Sequence, residues 1–250
     1  MDSKLPRSLM VLGGLLALGL AAAATILGVQ VGRIGSGRQS IVVKGLAEKP
    51  VRADLAEWTT GLSVHGETFA EALEKLRAER PALDRFLAER GFAREALTVN
   101  GESVVPKMED QETASGRVMM VQRGYDATQG ITVRTADLAK VAAASRAILE
   151  WKAAGHPATF AEPHYLVSNL EEVKMSLVGA ATRNARARAE EFAKNGNVRV
   201  GVMRSASQGA FYILAPGGGT DAGDYGGAYD KTTIDKIARV VVTIEYTIDR

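Results

Sequence analysis

Three histidines, His65, His156 and His164, are the only side chains of this 250-residue chain with an ordinary pKa near neutrality, and cysteine is absent. No two of them stand four residues apart, as a helical zinc pair requires, and without thiolates no mixed Cys/His site can be assembled. His156 precedes Pro157 in a turn-like context, and no serine occupies a G-x-S-x-G elbow, which leaves a Ser/His/Asp arrangement without an anchor. The residues therefore predict no catalytic set, no metal and no cofactor.

Two further patterns point to anion chemistry, and each has a plainer explanation. A P-loop places Gly directly before Lys-Ser/Thr, whereas Lys231 and Thr232 follow Asp230, whose carboxylate repels phosphate. Gly217, Gly219 and Ala222 spell G-x-G-x-x-A, but a dinucleotide site needs a strand before that string and a helix after it. Here the string runs on into Asp224, Tyr225 and more glycine, as a surface loop does. Arg183, Arg186 and Arg188 cluster on a helical segment, with Glu190 four residues after Arg186 and Glu191 three after Arg188, so the spacing predicts a solvated ion-paired face. What remains is a set of aromatic side chains, Phe211, Tyr212, Tyr225 and Tyr229, in the Gly-rich stretch 208–236, the candidate contacts for a binding partner. A connection of that length is functional or disordered in most compact domains.

The elements that must position these residues begin outside the globular part. Leu9–Val31 is a run of 23 uncharged residues behind Lys4 and Arg7. As a helix it reaches roughly 34 Å, enough for the hydrocarbon core of a bilayer. The expected organisation is a short cytoplasmic end at 1–8, a membrane-spanning signal anchor at 9–31, a Gly/Ser linker at 32–39 and an exported domain at 40–250. The length favours an anchor in the inner membrane with the large domain in the periplasm. The small residues Ala21–Ala24 keep open the alternative of signal-peptide cleavage and a secreted product. The net charge of +2, from 31 basic and 29 acidic residues, gives no field that would recruit nucleic acid.

Within 40–250 the spacing predicts strands at Ile41–Lys44 and from Ala56, where Ala56, Trp58, Thr60, Leu62 and Val64 alternate. A helix from Phe69 to a C′ glycine at Gly91 follows, with a kink or break near Arg80 imposed by Pro81. Leu97–Pro106 and Val118–Val133 are expected as strands around a polar loop at 109–116, the second divisible near 127–130. A helix at 136–153 capped by Thr135, a strand at 159–167 and a helix at 170–194 come next. The stripe of the last helix is Met175, Val178, Thr182, Ala185, Ala189 and Phe192, and its many alanines permit close approach of a sheet or second helix. Strands at 198–206 and 239–248 close the chain, the latter alternating at Val240, Val242, Ile244, Tyr246 and Ile248. Strands mixed with about three helices, without strict alternation, give an α+β class with mostly antiparallel sheets.

Several stretches resemble the SIMPL-domain family, whose bacterial members are exported. They are IVVKGLAEKPVRADLAEW from Ile41, GYDAT at Gly124–Thr128, ITVRTADLAKV at Ile131–Val141 and NLEEVKMSLVGAATRNARARAEEFA at Asn169–Ala193, followed by ASQGAF at Ala206–Phe211 and Asp-Tyr-Gly at 224–226. The resemblance covers 41–248 and implies an α+β domain with two strand-and-helix lobes. Some relatives form ring-like or channel-like oligomers, and no catalytic residues are established for the family. The resulting expectation is a non-enzymatic, membrane-anchored periplasmic protein that self-associates as a scaffold or channel-like homo-oligomer linked to envelope stress. The alternative is a monomeric binding module that uses the 208–236 aromatics on an unidentified ligand. An enzyme of unknown class ranks third.

Overall fold

The computed structural model describes residues 12–25, 39–112, 116, 118–218 and 227–249. Helix α1 covers residues 12–25, with every side chain exposed. Among the described residues no helix is long and apolar enough to cross a membrane. Positions 9–11 and 26–31 of the expected span lie outside those residues.

The chain from residue 40 onward is a mixed α/β fold with antiparallel sheets, in two compact units. The larger unit comprises Leu46–Arg183 and Gln208–Val242. Its core sheet holds β2 (Leu55–Gly66), β3 (Leu97–Val99), β5 (Val118–Thr135) and β6 (Ala158–Phe160) in the order β3-β5-β2-β6. In addition β4 (Ser103–Glu112) pairs with β5, and β7 (His164–Leu166) with β2. Helices α2 (Phe69–Glu89) and α3 (Leu138–Ala153) pack on this sheet, and their apolar faces bury Leu76, Leu83, Leu87, Val141 and Ile148 against Trp58, Leu62, Ile131 and Val133. The alternation in β2 works as the spacing requires: Ala56, Trp58, Thr60 and Leu62 are buried. The two polar groups in that row are satisfied, Trp58 Nε1 donating to the Ala161 carbonyl at 3.0 Å and Thr60 Oγ1 to that of Thr159 at 3.0 Å. Gly61 faces Gly130 across β2 and β5, because a Cβ there would fall on the Gln129 carbonyl.

A three-stranded sheet runs β1 (Ser40–Arg52), β9 (Asp235–Asp249), β8 (Arg199–Leu214), with β9 central. The smaller unit takes the described parts of Met1–Gly45, Asn184–Ser207 and Thr243–Arg250, so β1, β8, β9 and α4 (Leu170–Asn195) run from one unit into the other.

Several expectations need correction. Pro81 does not break α2, which is continuous from Phe69 to Glu89. Buried residues on both sides of the proline outweigh one lost hydrogen bond. The cap of α3 is Asp137, whose carboxylate accepts the Lys140 amide at 2.9 Å; Thr135 instead accepts the Asp137 amide. The polar 109–112 segment continues β4 and is no loop, while 118–135 is one strand, because cross-strand hydrogen bonding outruns the apolar pattern. The expected strand at 159–167 is two short ones, β6 and β7. On α4 the buried row is Val173, Leu177, Ala181, Ala185, Ala189 and Ala193, whereas Met175 and Phe192 are 67% and 63% exposed. A strict spacing of four follows the inclined i±4 ridge of the helix, which a 3,4 stripe does not. Both closing strands are longer than expected, and the Gly-rich connection shrinks to 215–234.

Candidate functional site

The histidines sit apart. His65 on β2 stands opposite Asp126 on β5, with Nδ1 to Oδ1 at 2.9 Å, in a half-exposed cross-strand pair. His156 stacks on Trp151 at 4.2 Å and meets Glu79 at 3.3 Å; His164 is exposed on β7. Among the described residues no group of three or more acidic or imidazole side chains is placed to hold a metal ion. The basic cluster on α4 is ion-paired at Arg186, whose Nε reaches Glu190 Oε1 at 2.6 Å.

Of the four aromatics of the 208–236 stretch, the three described ones do not all lie on a loop. Phe211 and Tyr212 are half-buried residues of β8, and Tyr225 lies outside the described residues. The phenol oxygen of Tyr229 accepts the Val167 amide at 2.8 Å. Its backbone forms a parallel bridge to Ile213, which donates to the Ala228 carbonyl and accepts from the Asp230 amide.

The residue that anchors this connection is Lys236, which sequence reasoning missed. Its side chain is fully buried, and Nζ donates to the Asp230 carbonyl at 2.6 Å and to Asp230 Oδ2 at 3.2 Å. Burial alone would raise the Asp230 pKa. The hydroxyl of Thr233, the amide and hydroxyl of Thr232 and the Lys236 ammonium outweigh it and hold the carboxyl well below the usual carboxylate range. A signal was present: Lys236 occupies the same even phase as Ala238, Val240, Val242, Ile244 and Tyr246, all buried. Beginning the strand at 235 instead of 239 puts the lysine on the inner face.

The larger chemical opportunity lies in backbone. Strand β8 is the outer strand of its sheet, and residues 202–209 are exposed without interruption, with Val202 at 71% and Met203 at 46%. An outer strand presents unpaired amides and carbonyls that another chain can extend. The other long outer strands carry protection: Lys44, Glu48, Lys49 and Pro50 in β1, and Pro106, Lys107, Glu109, Asp110 and Glu112 in β4. Within 202–207 of the smaller unit there is no proline, and the one charge, Arg204, is neutralised by Glu245 at 3.1 Å. Thr247 Oγ1 accepts the Val202 amide at 3.0 Å, and Arg186 lies over the Tyr246 ring at 5.3 Å, which ties β8, β9 and α4 together within that unit.

A family model described as "SIMPL: Protein of unknown function (DUF541)" matches residues 41–245. No curated protein matches the chain significantly.

Proposed function

The chain belongs to the SIMPL family, and from that premise we propose that it is a non-enzymatic scaffold of the cell envelope, tethered by Leu9–Val31 and self-associating through its exported domain. The observation that carries this reading is the open edge of β8 at 202–207, which exposes Val202 and Met203, carries one ion-paired charge and has no proline. Pairing of two such edges adds main-chain hydrogen bonds and covers Val202 and Met203, and the antiparallel form gives a closed two-fold contact. Tethering assists it, since confinement to a membrane raises the effective concentration of copies. A periplasmic location and a link to envelope stress belong to the same proposal.

Light scattering of residues 40–250 on a sizing column, across a concentration series, tests it. The expected result is a discrete multimer. Val202→Lys with Ala206→Lys, which sets like charges across the seam, should return a monomer with an unchanged circular dichroism spectrum. A strict monomer for the parent chain at every concentration overturns self-association by this domain.

A further inference from the structure

A second feature of the larger unit is independent of self-association. Leu55, Leu166, Val167, Leu170 and the ring of Tyr229 line a cleft of about 370 Å³, within the range of small-molecule sites, roughly 300–1,000 Å³. Two cations complete the lining, Arg134 on β5 and Lys231 on the connection. Neither forms an ion pair among the described residues. Glu57 is the cross-strand neighbour of Arg134, yet no ion pair joins them. The nearby Asp54 is occupied: Ser168 donates to it from Oγ at 2.5 Å and from its amide at 2.8 Å, and the hydroxyl bond chiefly holds its carboxyl below the usual range.

The backbone that carries each cation is held in advance. Arg134 lies in a strand paired with β2, and the Lys231 carbonyl accepts the Tyr165 amide at 2.7 Å. Tyr229 is held through its phenol oxygen by the Val167 amide, so its ring stays in the wall. A second cleft, of about 450 Å³, differs in kind, because Asp84 lies in its lining and already pairs with Arg80 at 2.9 Å. The charge left over there is a single cation, Arg94, without the two cations that the Tyr229 cleft presents.

We infer that the Tyr229 cleft binds a single-chain amphiphilic anion, the apolar tail against Leu55, Leu166, Leu170 and the Tyr229 ring and the carboxylate between Arg134 and Lys231. The guanidinium fork matches a carboxylate in two-point geometry, and the ammonium adds a point charge. Each tail methylene taken out of water adds to binding, which favours a chain over a bare anion. Two exposed cations without ion-pair partners among the described residues are complemented in charge when an anion occupies the site.

The test uses the full chain in lipid nanodiscs and a diazirine-bearing decanoate, with cross-linked peptides located by mass spectrometry. Label is expected on the peptides carrying 166–170 and 229–231, competed by decanoate at least tenfold better than by decanol. Arg134→Ala with Lys231→Ala should reduce that label at least tenfold while leaving label on 9–31, which reports partition into lipid alone. Label confined to 9–31 overturns the inference. So does cleft label that survives the double substitution or that decanol competes as well as decanoate.

Discussion

At the scale of single residues, Lys236 and Asp230 fix where the connection between β8 and β9 ends. A fully buried ammonium is tolerated only because a carbonyl and a carboxylate meet it, and removing one partner of such a pair is far more disruptive than never having built it. Lys236→Met should lower stability by roughly 3 kcal/mol, read as a shift of the urea midpoint. The Asp230 carboxyl has a folded pKa below its unfolded value of about 3.9, so its contribution is present above pH ~4 and is lost as pH falls through the folded pKa. Asp230→Asn should therefore differ most from the parent near pH 6, and the two urea curves should converge toward pH ~2. A gap that is constant with pH would remove the carboxylate from this role. None of this was legible from residue type alone, since a lysine in a Gly-rich stretch looks like solvent-facing charge; only the strand phase revealed it.

At the scale of elements, α2 tests how far local propensity decides. An interior proline costs a helix about 3 kcal/mol and removes the donor to the carbonyl four residues back. Yet α2 is continuous, held by Ala72, Leu76, Leu83, Phe86 and Leu87 on its buried face. Pro81 is itself exposed, so Pro81→Ala should restore the bond without loss of packing. The expected gain is about 1–3 kcal/mol, visible as a raised thermal midpoint, and a lowered midpoint would show that the proline is favourable where it stands. Helices were otherwise legible close to their ends, because the apolar spacing and Gly91, with φ 75°, mark them. Strand lengths were not. The extension of β4 through Glu109–Glu112 and of β8 through Gln208–Leu214 comes from pairing with a neighbour, β5 and β9, which no local pattern reports.

At the scale of the whole molecule, the proposed anchor predicts behaviour of the intact chain. Full-length protein should remain in the membrane fraction through alkaline carbonate, and its native N-terminus should carry the mass of an uncleaved chain. A terminus beginning after Ala23 or Ala24 would make it a released protein instead. The sequence by itself determined the family, the apolar run at 9–31, the class of elements and most of their order, since period, caps and turn residues are local. Tertiary structure alone decided the rest. It set which edge of the three-stranded sheet lacks protection, placed Tyr229 in a wall and brought Arg134 and Lys231 to one cleft. Those are relations between segments tens to more than a hundred residues apart, fixed by strand pairing and burial, and a linear pattern carries no record of which distant backbone completes a sheet.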